Sequence, residues 1–76
     1  MTPDTLRSYR KAKKESQLRF WGRFGVTQSR GSRFELGMEI PAPVAILLTL
    51  YLEGKITDVD LRLACKRRFD VISSRA

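Results

Sequence analysis

The side chains of this sequence with the capacity for chemistry are mainly cationic, and they are unevenly distributed. The chain has 76 residues, with 15 Lys and Arg against 8 Asp and Glu and a formal charge of +7. Residues 1–33 contain nine basic side chains and only two acidic ones, Asp4 and Glu15, whereas residues 34–76 contain six of each. Because the whole excess lies in the first 33 residues, we expect one side of the fold to carry a positive potential. Such a surface favours a polyanionic partner, either a phosphate backbone or an anionic membrane surface.

The same set of side chains excludes several kinds of catalytic and metal site. The sequence has no histidine and one cysteine, Cys65. Neither a four-ligand zinc site nor a nucleophile with an imidazole base can be assembled from it. A chain of this length forms one domain that buries about 60% of its unfolded surface, which leaves little room for a deep cleft. We therefore predict a protein that is not an enzyme and that has no metal or cofactor.

The sequence also predicts the compartment. A single cysteine cannot form an internal disulfide, which favours a reducing interior such as the bacterial cytoplasm or nucleoid. The first residues are not followed by the apolar run of a signal peptide. The longest apolar stretch, Val44–Leu52, is about half of the roughly 20 residues that a bilayer requires. We expect a soluble protein of a bacterial or phage-infected cell that does not bind membranes.

Five helices are predicted from their start and stop signals. Thr2, Ser16, Thr27 and Thr57 are suitable N-caps, and glycines follow the second, third and fourth helices. The predicted ranges are about 3–14, 17–24, 28–36 and 43–53, then a last helix that begins at Thr57 and frays over 73–76. No segment has the turn chemistry of a β-hairpin. The expected fold is therefore all-α, a compact single domain over residues 1–76.

Apolar spacing predicts which side chains form the core. In the second helix the expected buried side chains are Leu18, Phe20, Trp21 and Phe24. The helix over 43–53 is apolar on nearly every face, so we expect both core and partner contacts from it. In the last helix Leu61, Cys65, Phe69 and Ile72 fall on one stripe.

Residues 17–36 join two short helices through Gly25 and Val26. The segment begins with Gln17, and a Thr27 cap precedes Gln28 and Ser29. This pattern resembles the helix-turn-helix of lambda-repressor-like DNA-binding proteins, the Cro/repressor family, and the resemblance extends to a five-helix domain with a central helix-turn-helix. It implies a sequence-specific regulator of transcription that binds double-stranded DNA, with the helix that starts at Gln28 in the major groove. A repressor of phage or prophage type is the expected member.

The resemblance also implies roles for individual residues. The expected base-reading side chains are Gln28, Ser29, Ser32 and Arg33. Gln28 would pair its amide with adenine, and Gln17 would bind phosphate and support Gln28. The expected phosphate contacts are Gln17, Thr27, Arg19, Arg30, Lys13 and Lys14, with Lys11 a further candidate.

Two pairs are predicted to be structural. Where the family has a small residue and then a branched aliphatic residue, this sequence has Trp21 and Gly31. Since cores tolerate exchanges that conserve volume, we expect the Trp21 ring to lie over Gly31. Arg10 and Glu35 correspond to an ion pair that is frequent in the family. Glu39, in a loop that approaches phosphate in relatives, departs from the pattern because an acid repels phosphate.

A single domain of this type makes few base contacts, so we expect a homodimer that reads two half-sites. The predicted apolar surfaces for it are Val44–Leu52, the stripe of Leu61, Phe69 and Ile72, or both. Two alternatives remain open. One is a small basic protein-interaction module, such as a phage inhibitor of a host factor, with the helix-turn-helix as scaffold. The other is an excisionase-like architectural DNA binder.

Overall fold

The computed structural model of the chain describes the backbone of residues 2–73 and the side chains of residues 2–67. Its five helices confirm the all-α class, and the described residues contain no strand. The helices are α1 (Pro3–Ala12), α2 (Gln17–Gly22), α3 (Gln28–Glu35), α4 (Ala42–Leu52) and α5 (Asp58–Ser73). Of the segment 73–76 that is predicted to fray, Ser73 is the last residue of α5, and 74–76 lie outside the described residues.

The first three helices begin where the cap residues predict. The side chains of Thr2, Ser16 and Thr27 each accept a hydrogen bond from the backbone N–H three residues later, at 3.1, 3.1 and 3.3 Å. Each cap pairs one of the N–H groups that a helix start leaves without a partner. At the turn after α2, Gly25 has a φ of 75°, a conformation in which a Cβ would be strained.

The predicted helix ends are one or two residues too late. α1 stops at Ala12 rather than near Lys14, because Lys14 adopts a φ of 58° and turns the chain towards Ser16. A positive φ is uncommon for lysine, and no glycine or proline in the sequence announces the turn. α2 likewise ends at Gly22, followed by a turn.

The core lies between α2, α3 and the inner faces of the other helices. Its buried side chains are Leu6, Phe20, Trp21, Phe24, Val26, Phe34, Leu48, Tyr51 and Leu61. The prediction that Leu18 belongs to this core is wrong, since its side chain is 65% exposed. α2 is so short that Phe20 and Trp21 are its only buried side chains, and Leu18 lies outside the face that they form.

α4 and α5 only partly match their predicted roles. α4 buries Leu48 and Tyr51 and exposes Ile46, as expected of a helix that is apolar on nearly every face. Leu61 is 5% exposed and part of the core, as its place on the apolar stripe of the last helix predicts, and it is therefore not available for the predicted dimer surface. Cys65 is half-buried, with its Sγ 3.7 Å from the backbone oxygen of Arg23. The side chains of Phe69 and Ile72 lie outside the described residues.

Candidate nucleic-acid interface

The segment between α2 and α3 holds the two helices in a fixed relation. The N–H groups of Phe24 and Val26 both donate to the backbone oxygen of Trp21, at 3.0 and 3.1 Å, and that of Gly25 donates to Gly22. Val26 is buried beneath the turn. The turn therefore has its own hydrogen bonds and its own apolar anchor, so the start of α3 is set relative to α2.

Behind this turn the Trp21 side chain occupies the place that a side chain at Gly31 would fill. A Cβ built on Gly31 lies 2.3 Å from both Cγ and Cδ1 of Trp21. Trp21 is fully buried, and its ring contacts Phe20 and Phe34 in edge-on geometry, with centroids 5.3 and 5.4 Å away. The structure thus contains the exchange of volume that the sequence predicts.

Glu35 lies at the end of α3 and connects three helices. It is 2% exposed and forms a two-point ion pair with Arg10, Nε to Oε2 at 2.8 Å and Nη2 to Oε1 at 2.9 Å. Trp21 Nε1 also donates to Oε2 at 2.8 Å, and Gln17 Nε2 donates to Oε1 at 3.3 Å. The predicted Arg10–Glu35 pair is therefore present, but it is part of a four-residue network that the sequence did not predict.

The side of α3 that faces away from the core is polar and open to solvent. Gln28, Ser29, Arg30 and Arg33 are exposed, and Ser32 is half-buried. Thr27 is exposed too, and its hydroxyl caps the helix. The first turn of α3 therefore presents an amide, a hydroxyl and cations, while Gly31, Phe34 and Glu35 face inwards. These groups match the donors and acceptors that read base edges in a major groove.

The predicted phosphate contacts occupy different environments. Lys14 is exposed, and Arg19 is exposed but within 3.4 Å of a Glu15 oxygen. The Arg30 guanidinium lies 6.0 Å from the Phe34 ring centre. Lys13 is directed to Tyr51, where its Nζ donates to the phenol oxygen at 2.9 Å. An ammonium has three donors, so this bond leaves two for phosphate.

Lys13 belongs to a second network, at the junction of α1, α4 and α5. Tyr51 receives the Lys13 bond and donates to Asp58 Oδ1 at 2.7 Å. Arg23 Nε lies 3.1 Å from the same Asp58 oxygen, and both its terminal nitrogens donate to Glu15 at 2.6 Å. The sequence predicted none of these pairs, because none has the spacing of three or four residues that makes side chains neighbours on one helix.

Three carboxylates in these networks have a lowered pKa. Bonds from the Arg23 guanidinium lower the pKa of Glu15, and the Tyr51 hydroxyl lowers that of Asp58. Burial alone would raise the pKa of Glu35, but hydrogen bonds from Arg10, Trp21 and Gln17 outweigh it, and the pKa is lowered. In each case the bonded partner favours the ionised form.

We expect the protein to lose stability in acid. The unfolded chain has ordinary pKa values of 4.5 for the two glutamates and 3.8 for Asp58, whereas the folded values lie lower. The ionised carboxylates therefore stabilise the fold above those ordinary values, and this stabilisation is lost as the pH falls through the folded pKa values. Urea unfolding at pH 7, 5, 4 and 3 measures it. Equal free energies of unfolding at pH 7 and pH 3 would contradict the networks.

The loop after α3 is poorly suited to phosphate. Leu36 is 78% exposed, Met38 is 55% exposed, and Glu39 is an exposed acid. None of these side chains donates a hydrogen bond to phosphate. The open polar surface therefore ends with α3.

Among the described residues no group of three or more Cys, Asp and Glu is placed to hold a metal ion. Within that same part of the chain, no helix has the length and apolar character needed to cross a bilayer.

Comparisons with known proteins agree with this geometry. Residues 7–51, which contain the whole helix-turn-helix, match the family described as the RsaL-like HTH domain. A solved structure from work on the regulatory mechanism of the quorum-sensing repressor RsaL in Pseudomonas aeruginosa is 48% identical in sequence. The alignment covers 79% of this chain and 88% of that one, with a TM-score of 0.75. No match was found among curated proteins. The predicted helix-turn-helix is confirmed, and this chain belongs to the RsaL-like helix-turn-helix family of DNA-binding proteins.

Proposed function

We propose that this protein represses transcription by occupying a specific operator in double-stranded DNA, without catalytic activity. The observation that carries the proposal is the face of α3. Its first turn exposes Gln28 and Ser29, while its back is fixed by the Trp21–Gly31 contact and by the Glu35 network. A polar surface on a rigidly held helix suits base reading, because an exact hydrogen-bond pattern requires fixed donors and acceptors.

In this proposal four side chains of α3 read base edges, namely Gln28, Ser29, Ser32 and Arg33. The phosphate backbone of the DNA is bound by six further residues: Gln17, Thr27, Arg19, Arg30, Lys13 and Lys14. The similarity to a protein described as a repressor supports repression as the outcome. A phage or prophage origin, and a location in the cytoplasm on the nucleoid, stay predictions.

The proposal is tested by selecting duplexes from a random library with the full chain and then titrating salt. A sequence-specific repressor is expected to prefer the selected site over unrelated DNA by roughly a thousandfold or more, with a steep salt dependence. Weak preference would indicate an architectural binder. Absence of duplex binding at low salt would favour the protein-interaction module.

We also propose that the protein binds its operator as a homodimer. Apolar side chains exposed on the last two helices, Ile46, Val59 and Leu63, support this proposal. They replace Leu61, which is buried, as candidates for the interface. The symmetry of the selected site and sedimentation of the free protein measure the oligomeric state, and a monomer bound to a single asymmetric site would contradict it.

Gln28→Ala is expected to weaken binding to the selected site by ~1 to 3 kcal/mol and to change binding to random DNA little, since the amide pairs with one base. Arg30→Ala, which changes another exposed side chain in the first turn of α3, is the matched comparison. As a phosphate contact it should weaken both duplexes alike and reduce the salt slope by about one. Quantitative gel shifts measure both. An equal loss on both duplexes for Gln28→Ala would remove it from the base-reading set.

A further inference from the structure

The Glu35 carboxylate has no free acceptor position. A carboxylate offers about four lone-pair sites, two on each oxygen. Oε2 accepts from Arg10 Nε and Trp21 Nε1, and Oε1 accepts from Arg10 Nη2 and Gln17 Nε2. Arg10 and Trp21 thus fill three sites from inside the protein. The fourth receives Gln17, the first residue of α2.

This arrangement determines which way the Gln17 amide points. An ionised carboxylate only accepts hydrogen bonds, so it can face the NH₂ group of Gln17 but not its oxygen. The pKa of Glu35 is lowered, which keeps the carboxylate ionised at neutral pH. The Gln17 oxygen and its second N–H are therefore directed away from the buried network.

The presence of Trp21 depends on Gly31. The indole occupies the volume that a Gly31 side chain would fill, and from there its N–H donates to Glu35 at 2.8 Å. The exchange of volume between these two positions thus supplies a hydrogen-bond donor as well as packing. Arg10 and Trp21 therefore hold the Glu35 carboxylate on two sides, and Gln17 occupies the acceptor position that they leave.

We propose that Glu35 is a positioning residue for base recognition, which acts by fixing the orientation of the Gln17 amide. This inference rests on the proposed function. Gln17 and Gln28 each follow the N-cap of their helix. With its oxygen fixed outwards, Gln17 accepts one N–H of the Gln28 amide. The second Gln28 N–H then faces adenine N7, and its oxygen faces the adenine N6 amino group. The buried ion pair thereby selects one of two amide orientations at the base.

Glu35→Gln tests this step with a nearly isosteric change. A glutamine at position 35 has an NH₂ group that can donate to the Gln17 oxygen, so both orientations of the Gln17 amide become possible. Affinities are measured for the selected duplex and for duplexes with each other base pair at the position where Gln28→Ala loses discrimination. We expect the ratio between adenine and the other bases to fall at least tenfold in Glu35→Gln.

Glu15→Gln is the matched control. Glu15 also forms a two-point ion pair with an arginine, Arg23, and both side chains are 11% exposed, but the Glu15 carboxylate accepts no hydrogen bond from Gln17. A change in the net charge of the protein affects its binding to every duplex alike. The ratio between adenine and the other bases is therefore expected to stay within twofold of wild type in Glu15→Gln. Circular dichroism shows whether each variant is folded. A folded Glu35→Gln variant with the wild-type ratio overturns the positioning role and leaves the proposed function intact.

A crystal structure of the wild-type protein on its selected duplex tests the same step without any substitution. We expect Gln17 Nε2 within 3.5 Å of Glu35 and the Gln17 oxygen bonded to the Gln28 amide. A Gln17 side chain turned away from Glu35 overturns the inference even where Glu35→Gln does not fold. Failure of the wild-type protein to prefer any sequence is a different outcome, since it removes the proposed function and this inference with it.

Discussion

Gly31→Val is expected to destabilise the protein by about 3 kcal/mol, the upper end of the range for overpacked cores. The Cβ alone would lie 2.3 Å from two ring atoms of Trp21, and the ring is confined by Phe20 and Phe34. Helix propensity acts in the opposite direction, because valine is better than glycine in a helix by a few tenths of a kcal/mol. The collision is several times larger and decides the sign. For a domain of this size, thermal unfolding should show a melting temperature lower by roughly 12 to 24 °C.

Gly22→Ala is the matched control for this substitution. Gly22 also lies in a helix, but a Cβ built there has nothing within 4 Å. It should leave stability unchanged or raise it by up to about 1 kcal/mol. The double variant Trp21→Ala with Gly31→Val should be less destabilised than the sum of the single changes, because removing the indole makes room for valine. A Gly31→Val protein that melts at the wild-type temperature would disprove the exchange of volume.

Arg10→Met is expected to cost about 3 to 5 kcal/mol, the usual result of removing one partner of a buried ion pair. Glu35 would keep its charge at 2% exposure but lose two of its four hydrogen bonds. Methionine retains much of the volume of arginine, so the loss reports the unpaired charge and the lost hydrogen bonds, including the one that Arg10 Nη1 donates to the Glu15 backbone oxygen, rather than a cavity. Urea unfolding at neutral pH measures it, and we also expect the loss to shrink as acid protonates Glu35.

Arg7→Met provides the comparison, since Arg7 forms an ion pair with Asp4 at 2.6 Å in the same helix. The side chains of that pair are 41% and 85% exposed, and exposed pairs contribute about 1 kcal/mol or less. The two variants remove the same group from α1 and differ in the burial of the partner. Similar losses in the free energy of unfolding for the two variants would show that burial is not the reason why the Glu35 network stabilises the fold.

The sequence predicted the features that depend on neighbouring residues. The caps at Thr2, Ser16 and Thr27 and the turn at Gly25 give the helix starts, since capping is a contact over three residues. The resemblance of residues 17–36 to the motif of lambda-repressor-like proteins predicted the helix-turn-helix. The departure of Trp21 and Gly31 from the residues that the family has at these two positions predicted that one fills the space of the other.

The solvent exposure of individual side chains was predicted less accurately, and the reason is geometric. Leu18 and Leu61 both fit an apolar pattern, yet Leu18 is 65% exposed and Leu61 is 5% exposed. Periodicity identifies a face of a helix, but the length of α2 and the packing of α5 decide how much of each face is covered. The same limit applies to the dimer surface, where Ile46, Val59 and Leu63 replace Leu61 as candidates.

The amino-acid sequence by itself determined the helical class, the position of the turn, the cationic front half and the identity of the residues on the first turn of α3. Only the tertiary structure decided that Trp21 and Gln17 both donate to Glu35, and that Lys13 meets Tyr51. These bonds join residues 14 to 38 positions apart. A hydrogen bond requires its donor and acceptor within about 3 Å and aligned, and such distances are set by how the helices pack rather than by any spacing along the chain.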